Sequence, residues 1–270
     1  MKNNDKSKCF EQTQITTAIA AMCHELKLPS FFQAYMDQMK DPAFAEMAFP
    51  DRLHPMLKAE VVSRSEKRLA RNYKESGIND ALPSLDRMIY DNDRGLRKAL
   101  IDDLATCNWM RLENGPLNIL VTGMAGTGKT WLVKSLGKAA LEHGYRVLYM
   151  RAPQLVEKLR LARQDNEPAK LRNRLNSKDL LIIDDFAMTP LDEATKDDLL
   201  SLIDERQGRA SMMVASQRPL SQWCEYLGSG LHADAIVDRL RNTSYRIALK
   251  GRSLREGTAI AKRLQEVEEG

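Results

Sequence analysis

The sequence predicts an α/β protein: a central parallel sheet flanked by helices, preceded by a small all-helical N-terminal domain. Three observations carry this. From about residue 117 onward, five short apolar runs (LNILVTG, RVLYM, DLLIIDD, SMMVAS and YRIAL) alternate with helical segments. Runs of this kind belong to strands buried on both faces of a parallel sheet. The first run opens into GMAGTGKT, which satisfies G-x-x-x-x-G-K-[ST] at every fixed position. Residues 1–76, by contrast, hold no strand-like run.

Taken in order, the N-terminal region reads as three helices. In ITTAIAAMCHEL, Ile15, Ile19, Met22 and Leu26 recur at helical spacing before the turn LPS, and FFQAYMDQM places Phe32, Tyr35, Met36 and Met39 on one face. A longer helix from Arg52 to Ser76 has Leu53, Leu57, Val61, Leu69 and Tyr73 as its expected apolar face. Its other face carries Lys58, Arg64, Lys67, Arg68, Arg71 and Lys74. Such a face serves equally as a solvated surface or as a contact for DNA phosphates. The stretch KESGINDALPS, containing Ser, Asn, Gly and Pro, marks a boundary near residue 77. The predicted domains are therefore 1–76 and 77–270.

Composition narrows the class. The 270 residues are 43% hydrophobic, enough for a substantial core, and 41 Lys and Arg stand against 37 Asp and Glu. This mild basic excess permits a nucleic-acid partner, so local charge matters more than the total. The scattered cysteines (Cys9, Cys23, Cys107, Cys224) and histidines (His24, His54, His143, His232) show neither a C-x-x-C pair nor zinc-ligand spacing. With a polar N-terminus and no long apolar run, a cytoplasmic protein without a membrane span is expected.

The strand–loop–helix context around GMAGTGKT indicates a nucleotide site. Backbone N–H groups of Gly123, Met124, Ala125, Gly126, Thr127 and Gly128 can turn inward around phosphate oxygens, with Trp131 at the start of the following helix. Lys129 would neutralise the β- and γ-phosphates of ATP, and the Thr130 hydroxyl would ligate Mg²⁺. The run LLIIDD then delivers two carboxylates. Asp184 is the expected Mg²⁺-side group, and Asp185 is placed to polarise an attacking water as a general base. SMMVASQ ends in Ser216 and Gln217, a polar pair able to reach the γ-phosphate or that water. No N-K-x-D motif is present, which disfavours a Ras-like GTPase. A small-molecule kinase would need an acceptor pocket or lid signal, and none is evident.

Late arginines follow in DAIVDRLRN (Arg239, Arg241, placed after a helix) and GRSLREG (Arg252, Arg255). Arginine can stabilise charge on a transferred phosphoryl group, including from a neighbouring subunit. Between RVLYM and LLIIDD, residues 151–174 hold seven basic residues (Arg151, Lys158, Arg160, Arg163, Lys170, Arg172, Arg174) against three acidic ones. The resulting +4 equals the formal charge of the whole chain. A solvated helix pair packed by Leu155, Leu159, Leu171 and Leu175 would also account for this segment.

The order of phosphate loop, IIDD, ASQ, DRLR and SLR resembles the AAA+ ATPases of the DnaC/IstB branch. The run VASQRPLSQWCEYLGSGLHADAIVDRLRNTSYRIALKGRSLRE is similar to the IstB family of helper ATPases in insertion-sequence transposition. So are the lead-ins ELKLPSFFQAY and AEVVSRSEKRLARNYKESGI. The likeness covers all but about the first and last dozen residues. It implies an AAA+ fold with Gln217 as sensor 1, Arg239 as arginine finger (Arg241 the second candidate) and Arg255 as sensor 2. It also implies DNA contact by the basic segment, ATP-dependent self-association into a ring or helix on double-stranded DNA, and a cognate transposase as partner. Trp131 stands where the family commonly has His, and Met124-Ala125 replaces a Pro-containing loop, but neither change removes a ligand. Asp185 is one methylene shorter than the Glu of many AAA+ proteins, which is compatible with slow hydrolysis. Two alternatives share this core: a DnaC-like helicase loader acting on single-stranded DNA, and a DNA-binding switch that binds ATP but barely hydrolyses it.

Overall fold

The structure, a computed structural model, describes residues 2–78, 83–91 and 93–254, with side chains from residue 13 onward. The chain divides into two compact units, Met1–Ala70 and Arg71–Gly270.

In the first unit, α1 (Lys2–Glu25) and α2 (Pro29–Lys40) are joined by a tight turn, and α3 begins at Phe49 and runs to Ser76. Lys27 takes a left-handed φ of 56°, and Pro29 then starts α2, where a missing N–H costs nothing. The α2 N-terminus has no side-chain cap of its own. Instead the Ser30 and Phe31 N–H groups donate to Glu60 Oε2 of α3 at 2.8 and 3.1 Å, while Arg64 Nε donates to Glu60 Oε1 at 2.8 Å.

This polar anchor changes which faces are buried. Ile15 and Met22 on α1, Leu26 in the turn after it, and Leu57 and Val61 on α3 are exposed, whereas Cys23, Met56 and Glu60 are buried. The apolar faces expected from spacing are therefore only in part the contact faces: Ile19, Phe32, Tyr35, Met36, Leu53, Leu69 and Tyr73 are half-buried. Glu60 must meet the open end of α2, and at about 100° per residue Met56, four residues earlier, shares its buried face while Val61, the next residue, is turned outward.

The second unit is built on β1 (Asn118–Gly123), β2 (Val147–Arg151), β3 (Leu180–Asp184), β4 (Ser211–Ser216) and β5 (Ser244–Leu249). All neighbouring pairs are parallel, in the order β2-β3-β4-β1-β5. The five apolar runs are thus the five strands, and a parallel sheet flanked by helices is the fold.

Helices cover both faces, as buried parallel strands require. On one face, α5 (Lys129–Glu142) lies close enough for a Cβ at Gly137 to meet Ile182 Cδ1 at 2.7 Å. The short α4 (Lys98–Ala105) packs against α5. On the other face, α6 (Ala152–Gln164), α7 (Pro168–Asn176), α8 (Glu193–Arg206), α9 (Trp223–Tyr226) and α10 (Leu231–Asn242) enclose a core centred on Leu181, Ile183, Val214, Leu202, Trp223 and Ile236. Arg206 is buried in this layer and donates to the carbonyls of Leu175, Lys178 and Ser211 at 2.9, 3.0 and 2.7 Å. It thereby ties the end of α7 to the start of β4.

Spatial order matters for the site. β4 lies between β1 and β3, so the residue following β4 stands between the phosphate loop and the two aspartates.

Candidate nucleotide site

The loop Gly123–Gly128 runs from the C-terminal end of β1 to α5, and its glycines are structurally required. Gly126 and Gly128 have φ of 80° and 96°, a region side chains disfavour. A Cβ on Gly123 would lie 2.5 Å from the Leu249 carbonyl oxygen. Lys129 is 6% exposed, and its Nζ donates to the Gly123 and Met124 carbonyls at 2.7 and 2.8 Å. The Thr127 hydroxyl donates to Met124 O at 2.8 Å and closes the loop.

Opposite the loop, Asp184 ends β3 fully buried. Its Oδ2 accepts from Thr130 Oγ1 at 2.7 Å and from the Tyr149 hydroxyl at 3.0 Å, and its Oδ1 accepts from the Asp185 N–H at 2.9 Å. Burial, then the Asp184 charge, pushes the Tyr149 pKa up, so the phenol remains a donor. Asp185 has a φ of 54°, a strained value for a non-glycine residue that turns its side chain out of the strand direction. Its carboxylate faces Gln217 Nε2 at 3.4 Å and Arg151 Nε at 3.7 Å.

The loop, Asp185 and Gln217 open on a cleft of about 810 Å³ lined by residues 125–130, Asp185 and Gln217, with Asp184 buried behind Thr130. Its apolar wall includes Met88, Ile89, Leu96, Trp131 and Leu249. Trp131 Nε1 donates to Ser84 O at 3.0 Å, and Arg94 Nη2 donates to Thr127 O at 3.0 Å, which fixes Ser84 and Arg94 against the loop and the start of α5. A volume of this size suits a nucleotide.

The donor set fits Mg²⁺. Among the described residues no group of three or more His, Cys, Asp or Glu could hold a metal unaided. Thr130 and Asp184 instead supply two hard oxygens beside the loop. Mg²⁺ is typically held by one or two such groups together with substrate phosphates.

The structure thus brings Lys129, Thr130, Asp184, Asp185 and Gln217 together. Arg239 and Arg241 do not line the cleft. They lie in the last turn of α10 rather than after a helix, because the apolar period continues through Leu240. Arg239 pairs with Asp204 of α8, and Arg241 is exposed. Arg255 lies outside the described residues.

The basic segment forms α6 and α7, and its seven cations have distinct surroundings. Arg163 is tied to α8, with Nη2 2.9 Å from Thr195 Oγ1 and Nη1 3.5 Å from Asp198. Arg160 and Lys170 pair locally with Glu157 and Glu167, and Arg172 approaches Glu205 at 3.9 Å. Lys158 and Arg174 are exposed. Arg151 stands at the C-terminal edge of the sheet, paired with Asp185. Sequence reading placed Arg151 with DNA and missed Tyr149, Arg94 and the apolar wall of Met88, Ile89 and Leu96.

A parallel sheet in this order, with a phosphate loop on β1 and paired carboxylates ending β3, defines an ATP-binding protein of the AAA+ class. Residues 21–261 match the IstB-like ATP binding protein family, and the chain belongs to that family. It is 34% identical over 229 residues to a Sinorhizobium fredii protein named as an insertion sequence ATP-binding protein (y4pL), covering 84% of this chain and 91% of that one. A Pseudomonas fluorescens counterpart from the insertion sequence IS1162 is 35% identical over 207 residues, covering 77% and 88%. Among solved structures, the fold is shared with AMPPCP-bound DnaA from Aquifex aeolicus, with a TM-score of 0.55 at 22% identity. That match covers 69% of this chain and 55% of the DnaA chain. It is also shared with the DnaC helicase loader, with a TM-score of 0.53 at 17% identity, covering 62% and 97%. Among the described residues no helix is long and apolar enough to cross a membrane.

Proposed function

We propose that the protein is an ATPase that assembles on double-stranded DNA and assists a cognate transposase of its insertion sequence, with ATP controlling the assembly. The observation that carries this reading is the meeting of Thr130, Asp185 and Gln217 at one cleft, with Asp184 buried directly behind Thr130, in a chain of the IstB-like ATP-binding family.

In this reading the loop N–H groups and Lys129 hold the phosphates, and the apolar wall with Trp131 takes the base. Thr130 and Asp184 hold Mg²⁺, which when bound neutralises charge developing between the β- and γ-phosphoryl oxygens. Asp185 orients and deprotonates the attacking water, and Gln217, one strand nearer the loop, reads the γ-phosphate. Arg239, once released from its pair with Asp204, or the exposed Arg241 reaches a neighbouring subunit's nucleotide. A head-to-tail contact of that kind builds a ring if it closes and a helix if it does not.

DNA phosphates would meet the exposed face of α6 and α7, where Lys158, Arg160, Lys170 and Arg174 are accessible. Phosphate contacts give affinity with little sequence preference. Four such contacts correspond to a slope of about −3.6 in log affinity against log salt per subunit. The helical region 1–76 is a separate domain in this account, used for partner or DNA contact, and the protein works in the cytoplasm.

The test is ATP turnover with no DNA, duplex DNA or single-stranded DNA. Stimulation by duplex supports the proposal, whereas stimulation by single strands alone favours a helicase-loader role. Turnover that stays near zero under all three conditions makes the protein a binding switch. Mixing chains that carry Arg239→Ala with chains that carry Asp185→Asn restores turnover if the finger acts in trans, because each chain then lacks a different half of the site.

A further inference from the structure

The functional reading uses Thr130, Asp184 and Asp185 and leaves Tyr149 without a role. Yet Tyr149 donates to Asp184 Oδ2, the oxygen that also accepts from Thr130. Asp184 is fully buried, so its orientation is set by protein donors rather than water. Three donors surround it: Thr130, Tyr149 and the Asp185 N–H.

The three differ in what a ligand would do to them. The Thr130 hydroxyl is itself a ligand group, and an oxygen engaged by a cation is no longer free to choose its hydrogen-bond direction. The Asp185 N–H belongs to the next residue in the chain, which has a left-handed φ of 54° and faces the cleft. Tyr149 does not line the cleft and is 9% exposed. Its ring is held under Lys134 Nζ of α5, 4.7 Å from the ring centroid. Its oxygen also interacts with the Arg151 guanidinium. In the parallel register Tyr149 lies opposite Ile182 and Arg151 opposite Asp184, so the phenol reaches two residue pairs along the sheet, on the same face, to find the carboxylate.

We propose that Tyr149 is a positioning residue that fixes the Asp184 carboxylate for divalent-cation binding beside the nucleotide phosphates. This rests on reading the cleft as a Mg²⁺–ATP site. Tyr149 keeps Oδ2 in place while Thr130 is engaged, and so sets how much Mg²⁺ the site needs.

The test is equilibrium binding of a fluorescent, non-hydrolysable ATP analogue to the full chain, titrated with Mg²⁺ and repeated in EDTA. For Tyr149→Phe, metal-free affinity stays within about twofold of wild type, while the Mg²⁺ concentration giving half-maximal enhancement rises about tenfold. That is the size expected for one lost hydrogen bond to a charged group. On an Asp184→Asn background the same substitution adds nothing further, because the two residues act as a unit. Unchanged Mg²⁺ dependence in Tyr149→Phe overturns the assignment. Loss of metal-free affinity also overturns it, since Tyr149 would then be a packing residue, as does an equal effect on the Asp184→Asn background. Absence of any Mg²⁺ enhancement in wild type overturns the Mg²⁺–ATP reading itself along with this inference.

Discussion

Replacing Arg151 with methionine tests whether the charge at the end of β2 restrains the candidate general base. The guanidinium lies 3.7 Å from Asp185 Oδ2. At that distance Coulomb's law gives about 4.5 kcal/mol at an effective dielectric of about 20, and about 1.1 kcal/mol in water. Arg151 is 61% exposed and Asp185 29%, so the water-like limit applies and the pair is worth about 1 kcal/mol. If that amount holds Asp185 away from the attacking water, Arg151→Met raises DNA-free ATP turnover by about fivefold. It leaves nucleotide affinity unchanged, because Arg151 does not line the cleft. The assay is steady-state phosphate release at low salt, with analogue binding measured in parallel. Unchanged or lower DNA-free turnover with intact nucleotide affinity would refute this reasoning.

Three further outcomes are expected. Lys129→Ala removes a charge-assisted contact to phosphate and should weaken ATP binding about 10- to 100-fold in equilibrium titration. Glu60→Ala leaves the α2 N-terminus uncapped and should cost about 1 kcal/mol of stability in urea unfolding. Burial opposes the Glu60 charge, but Arg64 and the Ser30 and Phe31 N–H groups outweigh it and hold its pKa below the ordinary value of 4.5. Its contribution is therefore complete above that value and is lost as pH falls through the lower folded one, so wild type and Glu60→Ala should converge in acid. Arg206→Ala leaves the Leu175, Lys178 and Ser211 carbonyls without their donor and should cost about 3–5 kcal/mol, read as a lowered denaturation midpoint.

The legible and illegible parts of this molecule differ for physical reasons. All five strands could be read because strands buried on both faces are continuous apolar runs, and the phosphate loop because its glycine positions are dictated by backbone sterics. The pairing of Asp184 with Thr130 followed from those two motifs. Tyr149 and Arg151 were not legible as site residues, since their roles depend on β2 lying beside β3 in parallel register, which no local pattern encodes. Met88, Ile89 and Leu96 form a wall of the cleft only because Arg94 and Ser84 bind the loop region, a contact between segments more than thirty residues apart. In the N-terminal helices, periodicity located the helices but only part of their inward faces. Glu60, a charged residue that periodicity counts as outward, is buried at the α2 N-terminus.

The central claim is that the nucleotide at this cleft controls assembly on DNA. The most direct measurement is particle size by sedimentation or electron microscopy, with duplex or single-stranded DNA, and with ATP, a non-hydrolysable analogue or ADP. The account predicts large assemblies only when duplex DNA and a triphosphate are both present, with loss of those assemblies in ADP and in Lys129→Ala. A particle size that ignores the nucleotide, or assembly on single strands alone, would contradict it.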